Sequence, residues 1–268
     1  MPLPLILRIA LLGMFLAIAS SAVAAPAPAP AHAFLRVEGE IFILTLPDSK
    51  RLTSRDLVGA ELETADGGVI RIDAVTPSKE RPAIMLHRFS EFDPESKTWR
   101  PTCDTDAYGR QAGFPVAGSW DATGRYVKDP DKWFVACTGG SRGKCILWGY
   151  DPWAPGPKGE DLVPYYQACQ FAARANYDGA GEAHTRNGTE IDLADLLGIQ
   201  THDSLANPHY IFEAGWGPQG AVCVAATRWP DLLTRDALLK MAPTLGGPCT
   251  EDDAIRRGAL IFTRILRR

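Results

Sequence analysis

The sequence predicts an α+β fold in which a β-rich N-terminal part precedes a mixed helix and hairpin part, the whole stabilised by disulfides. Three observations carry that prediction. Extended, turn-punctuated segments run from Phe34 to Val75, helical spacing first shows between Asp161 and Tyr177, and six cysteines follow an export-type leader.

The leader occupies residues 1–24. MPLPLILR, the apolar run Ile9 to Ala19 and the small residues ending in Ala22-Val23-Ala24 have the form of a secretory signal peptide cleaved after Ala24, which places the mature chain in the periplasm or outside the cell. The apolar run is about half the roughly 20 residues that cross a bilayer, so no integral membrane segment is expected after cleavage. Residues 25–33 alternate Ala and Pro and read as a polyproline II spacer.

The formal net charge is −4, and loss of the leader with its single charge, Arg8, leaves −5. With no basic tract to neutralise phosphates, nucleic acid is a poor partner. The cysteines are Cys103, Cys137, Cys145, Cys169, Cys223 and Cys249, and an even number in an exported chain points to structural disulfides. None forms a Cys-x-x-Cys, which argues against a zinc knuckle or a thioredoxin-type redox site.

The first part, residues 34–153, reads as strands. Phe34 to Leu46 is extended, Asp66-Gly67 turns between Ala60–Thr64 and Val69–Val75, and Ala83–Phe89 leads to a turn at Asp93–Lys97. His87 in that strand reads as a hydrogen-bonded structural residue. Cys103 to Asp131 is loop-rich, and Trp133–Cys137 with Lys144–Tyr150 suggests a hairpin about Ser141. Such a hairpin would place Cys137 opposite Cys145, making that bridge the first expectation.

Pro152 to Gly159 separates this part from residues 160–268. Leu162, Tyr166, Cys169 and Ala173 recur at helical spacing, Pro164 suits a first turn and Gly179 a C-terminal stop. A short helical turn is expected at Leu193–Gly198 and a buried strand at Gly220–Ala225. Thr234 would cap a helix reaching Met241, and Thr250 with Asp253 resembles a capping box opening a last helix toward Arg268.

Polar side chains concentrate between Cys169 and Ile199. Asn187-Gly188 signals a hairpin that would bring Asp192 near His184, so that the carboxylate orients the imidazole and leaves its other nitrogen for acid-base work. Arg186 would stabilise an oxyanion and Tyr177 would supply a further proton-transfer group. Asn176, Asp178 and Trp216 are candidate binding residues, and the same His184 pair could equally act as a clasp. Asp178, His184, Glu190 and Asp192 match no calcium or zinc spacing, and no nucleotide or hydrolase motif is present, so no metal or cofactor is expected. His202 and His209 flank a polar loop that reads as solvated surface.

The runs Ala173-Arg174-Ala175-Asn176-Tyr177-Asp178-Gly179 and His184-Thr185-Arg186-Asn187-Gly188-Thr189-Glu190-Ile191-Asp192 resemble the signature of the ADYC-domain family of exported bacterial proteins. Trp99-Arg100-Pro101-Thr102-Cys103, Lys144-Cys145 with Trp148-Gly149-Tyr150-Asp151-Pro152-Trp153, and Phe212-Glu213-Ala214-Gly215-Trp216 extend the likeness. The family is named for Ala-Asp-Tyr-Cys; here Asn176 stands in the aspartate position and Asp178 in the cysteine position. The resemblance implies an exported protein but no particular reaction.

Two functions are consistent with these features. The leading one is a non-catalytic binding or structural module of the cell envelope, whose partner is an envelope component or a small ligand met by aromatic-rich loops such as those near Trp148, Trp153, Trp216 and Trp229. The alternative is an envelope hydrolase with His184 as general acid/base oriented by Asp192.

Overall fold

A computed structural model describes residues 33–122 and 124–267, so the signal segment and all but the last residue of the Ala/Pro spacer lie outside the described residues. The chain opens with β1 (Phe34–Glu38) and β2 (Ile41–Thr45), joined through Gly39 at φ 64°, and β3 (Arg51–Thr53) completes a three-stranded sheet. Next come β4 (Glu61–Glu63), β5 (Val69–Pro77), β6 (Met85–Asp93), β7 (Thr98–Pro101) and β8 (Gly113–Ala117). A small ribbon of β9 (Ser119–Trp120) and β10 (Tyr126–Val127) precedes β11 (Trp133–Cys137). The larger antiparallel sheet runs β11-β8-β6-β5-β4, with β7 also paired to β6. Asp66-Gly67 makes the expected turn between β4 and β5, closed by the Thr64 and Gly68 backbones.

Two helices follow, α1 (Ser141–Leu147) and α2 (Val163–Arg174), and then β12 (Asp192–Asp195), β13 (Tyr210–Gly217) and β14 (Gly220–Val224). The chain finishes with α3 (Arg235–Met241), α4 (Glu251–Arg256) and β15 (Ile261–Leu266), giving a four-stranded antiparallel sheet in the order β12-β15-β13-β14. The protein is thus α+β with a β-rich N-terminal part, and the described residues form one compact unit.

A bulge gives β5 two faces with different work. Ile72 pairs with Phe89 but Ala74 with Arg88, so the strand's inward parity changes between them. Ile70, Ile72 and Phe89 then pack with Val37 and Phe42 of the small sheet and Leu57 of the turn after it, while Leu86 on the other face joins the larger core. That larger core runs through α1 and α2: α1 touches β11, and α2 touches β13, β14 and β15. Among its members are Ile146, Tyr166, Phe171, Trp216 and Ile261, each shielded from water, which is the main stabilising contribution of the fold.

The disulfides are Cys103–Cys137, Cys145–Cys169 and Cys223–Cys249. The expected Cys137–Cys145 bridge is therefore corrected, along with the hairpin that suggested it. Residues 141–147 coil into α1, which brings Gly143 so close to the Cys137 carbonyl that a Cβ there would be 2.4 Å from its oxygen. Coiling turns Cys145 into the core to meet Cys169 on α2, while Cys137 reaches back to Cys103.

Further expectations change in the C-terminal part. Thr250 and Asp253 do form a reciprocal capping box, but α4 stops at Arg256, Gly258 turns at φ 85°, and the remaining apolar residues form β15 instead of a longer helix. Leu193–Gly198 is not helical: its first part is the end of β12, and the Asp195 carboxylate closes the following turn by accepting the backbone N–H groups of Leu197 and Gln200 at 2.6 and 2.7 Å. Asn187-Gly188 turns as expected, with Thr189 N–H donating to the Arg186 carbonyl, but the flanking residues pair into no ladder. Thr234 caps α3 through the Ala237 N–H at 3.1 Å.

Candidate functional site

Helix α2 ends without the glycine that commonly follows a helix. Ala175 adopts the left-handed conformation at φ 49° and ψ 41°, and the chain turns back so that the Asn176 N–H bonds the Phe171 carbonyl at 3.0 Å. This reversal drops Tyr177 into the core. Its hydroxyl donates to Glu213 Oε1 at 2.8 Å and accepts the Arg228 backbone N–H at 2.7 Å.

Glu213 arrives from β13 at a second bulge. Phe212 pairs with Arg264 and Ala214 with Thr263, so Glu213 is the extra residue, re-aimed inward to 0% exposure. Arg228, 1% exposed, meets it with Nε on Oε1 at 3.0 Å and a terminal nitrogen on Oε2 at 2.9 Å. The same guanidinium donates to the Ala172 carbonyl at 2.8 Å and the Ala173 carbonyl at 3.3 Å, capping the orphan end of α2. One buried ion pair therefore joins α2, β13 and the segment after β14. Burial first, and then the Glu213 charge, push the Tyr177 phenol well above its ordinary range.

Around this centre the aromatic rings stack. Tyr177 lies near-parallel to Trp216 at 5.3 Å between centroids and to His184 at 6.2 Å. The Trp216 indole N–H donates to Thr263 Oγ1 at 2.8 Å. His184 is buried and its backbone N–H bonds the Arg174 carbonyl at 3.0 Å. Asn176, also buried, accepts the Gly181 N–H at 3.3 Å, and exposed Asp178 accepts the Ala180 N–H at 3.0 Å, so both shape the loop that returns to His184.

Tyr177, His184 and Trp216 thus come together; Asp192 and Arg186 do not join them. Asp192 was expected to orient His184, but it sits on β12 and accepts the backbone N–H groups of Asp203 and Ser204, each at 3.1 Å, and the Ser204 hydroxyl. Against the upward pull of burial, these bonds hold its carboxyl below the usual range. The imidazole beside it is His202, with Nδ1 3.0 Å from Asp192 Oδ2 and Nε2 3.5 Å from Glu251 Oε2. Both ring nitrogens are close enough for ion pairing but poorly aligned for hydrogen bonds. The reading of this loop as solvated surface is corrected for His202, whose side chain is only 4% exposed. The Ser204 hydroxyl donates to the Asp192 carboxylate, and no hydrogen bond joins it to the His202 imidazole. Arg186 is exposed, pairs with Asp231 and lies 4.1 Å over the Trp229 ring.

Glu213 and Arg228 escaped sequence reasoning. Their only signal was a charge set inside or just after an apolar strand, as in Tyr210-Ile211-Phe212-Glu213-Ala214, which is also how a solvated edge reads. Chemically the centre is saturated: both Glu213 oxygens and the Tyr177 hydroxyl have partners. Two cavities open elsewhere. One of about 370 Å³ reaches Arg228 together with Thr227, Arg235 and Asp236; the other, about 540 Å³, lies on the larger sheet. Neither is lined by Tyr177, His184 or Glu213.

The model of the ADYC domain matches residues 54–230, more than half of the chain. The chain belongs to the ADYC-domain family. The Tyr177 of its naming motif is the residue at the centre of the buried network, and the matched span crosses from the larger sheet into β14 and Arg228. No curated protein and no solved structure matches the chain. Its three disulfides fit an oxidising compartment, and among the described residues no helix is long and apolar enough to cross a membrane.

Proposed function

We propose that this ADYC-domain protein is exported by its leader and acts in the cell envelope as a non-catalytic binding module. The observation that carries the reading is the saturation of the motif centre. The Tyr177 hydroxyl donates its hydrogen bond to Glu213, Glu213 is neutralised by Arg228, and His184 is packed against the Tyr177 ring and lines neither cavity. A general acid or base needs a free proton-transfer atom within reach of a substrate, and here the Tyr177 hydroxyl and both Glu213 oxygens are engaged with one another and with Arg228. The three disulfides and the buried ion pair hold a rigid body, which suits a surface that binds by preorganised contacts. The naming motif is then the clasp that ties α2 to the C-terminal sheet, with Asn176 and Asp178 forming the loop beside it.

The test is incubation of the mature, oxidised protein with purified cell-wall sacculi. Sedimentation with the sacculi, with no soluble fragments released over hours, is the expected result. Release of reducing sugars or free amino groups that disappears in His184→Ala would instead establish a hydrolase.

A further inference from the structure

We propose that the 540 Å³ groove on the larger sheet is the ligand site and that it takes a small carboxylate-bearing saccharide. This rests on the binding-module reading and names the ligand class for it. The size falls in the range of small-molecule pockets, which is roughly 300–1,000 Å³.

The floor is apolar and follows from the β5 bulge, which turns Ala74 and Thr76 to the same side as Leu86 and Arg88. The walls are cationic. Lys79, Arg88 and Arg110 line the groove against one carboxylate, Glu80. Glu80 is matched by Arg110, whose Nη1 lies 2.7 Å from Oε1 and whose Nε pairs with Asp106 at 2.7 Å, so Arg110 is already committed to two carboxylates. Lys79 and Arg88 are both exposed and have no ion-pair partner within 4 Å among the described residues. In a chain of net charge −4, Lys79 and Arg88, the latter near enough to Asp73 to help lower its carboxyl, set an exposed positive edge over an apolar floor that draws an anion.

The third wall is Tyr108, 77% exposed. A large aromatic so open to water is unusual in a position whose backbone is held this tightly. Asp106 accepts the N–H groups of Tyr108 and Arg110, each at 2.9 Å, Arg110 Nε at 2.7 Å and the Thr138 hydroxyl at 2.8 Å. Thr138 follows Cys137, which is bridged to Cys103 just before the turn. The turn is therefore fixed at both ends and presents a flat ring at little ordering cost on binding. The Tyr108 ring, with the Arg110 guanidinium 4.9 Å from its centroid on one face, stands beside the exposed cations and, with Thr76 and Gln111 as hydrogen-bonding groups, complements a sugar ring: its C–H face lies on the side of Tyr108 away from Arg110, its carboxylate reaches Lys79 and Arg88, and its hydroxyls meet the polar side chains. An acidic peptide shares the charge but has no rigid face for the ring.

The experiment is calorimetric titration of the mature oxidised protein with trigalacturonate, with maltotriose as a neutral saccharide and triglutamate as an acidic peptide. Trigalacturonate is expected to bind, more weakly as salt rises from about 50 to about 300 mM, with the other two at least about tenfold weaker. Arg88→Glu and Tyr108→Ala, both surface changes, are each expected to weaken binding about tenfold without moving Tm. No heat with trigalacturonate, equal binding of triglutamate or maltotriose, or indifference to Arg88→Glu would overturn the proposal. If trigalacturonate fails while the protein still sediments intact with sacculi, this site assignment falls alone; cleavage of the sacculi removes the binding-module reading itself.

Discussion

Replacing Glu213 by Gln keeps the shape of the side chain but takes away the negative charge that faces Arg228. The guanidinium then remains 1% exposed, still held by the Ala172 and Ala173 carbonyls, with no counter-charge. Stranding one member of a buried pair costs about 3–5 kcal/mol. At roughly 2–4 °C per kcal/mol for a chain of this size, Tm should fall by about 6–20 °C. Guanidinium unfolding under oxidising conditions, followed by Trp fluorescence, measures the free energy directly. The double variant Glu213→Leu with Arg228→Met, which replaces both charges by apolar groups, should recover at least half of the loss. A loss below about 1 kcal/mol for Glu213→Gln, or no recovery in the double variant, would refute the view that this pair holds α2 to the C-terminal sheet.

Three further outcomes follow from the geometry. His87 is buried, its Nδ1–H donates to the Met85 carbonyl at 3.2 Å, and burial lowers its pKa from 6.5 to about 4. Between those values the unfolded chain binds the extra proton, so stability should be complete above about pH 6.5 and fall by up to about 3 kcal/mol as pH drops toward 4; His87→Phe should flatten urea midpoints over that window. Removing the Cys145–Cys169 bridge, with its sequence separation of 24, by a double Ala change should cost about 3 kcal/mol in chemical unfolding, because the open loop frees the unfolded chain. Gly179→Ala places a Cβ 2.1 Å from the Gln219 carbonyl oxygen at a φ of 74°, so a thermal scan should show a loss of about 2 kcal/mol or more.

Much of the fold was legible because its signals are local. The Asp66-Gly67 turn, Pro164 in the first turn of α2, the Thr234 cap and the Thr250–Asp253 box each depend on residues a few positions apart. What was not legible depends on distant partners. Ser141–Leu147 is too short for its periodicity to separate strand from helix, and the approach of Gly143 to Cys137 that accompanies the helix shows only in the fold. Ile261–Leu266 carries β-branched residues suited to a strand, but the capping box upstream favours helix until Gly258 ends it. The candidate site was half visible: Tyr177, His184 and Trp216 do meet. Asp192 went to His202 because β12 pairs with β15, which carries it away from His184, and a strand register of that kind has no local signature.

The central claim is that the tyrosine of the family motif is sealed into a buried ion-pair network. Tyrosine Cζ carbon-13 NMR of the mature chain, titrated with base and assigned through Tyr177→Phe, tests it most directly. The account predicts that the Tyr177 signal keeps its protonated position after the exposed tyrosines have titrated, because burial and then the Glu213 charge oppose loss of its proton. A transition near the ordinary value of about 10 in the folded protein would contradict it.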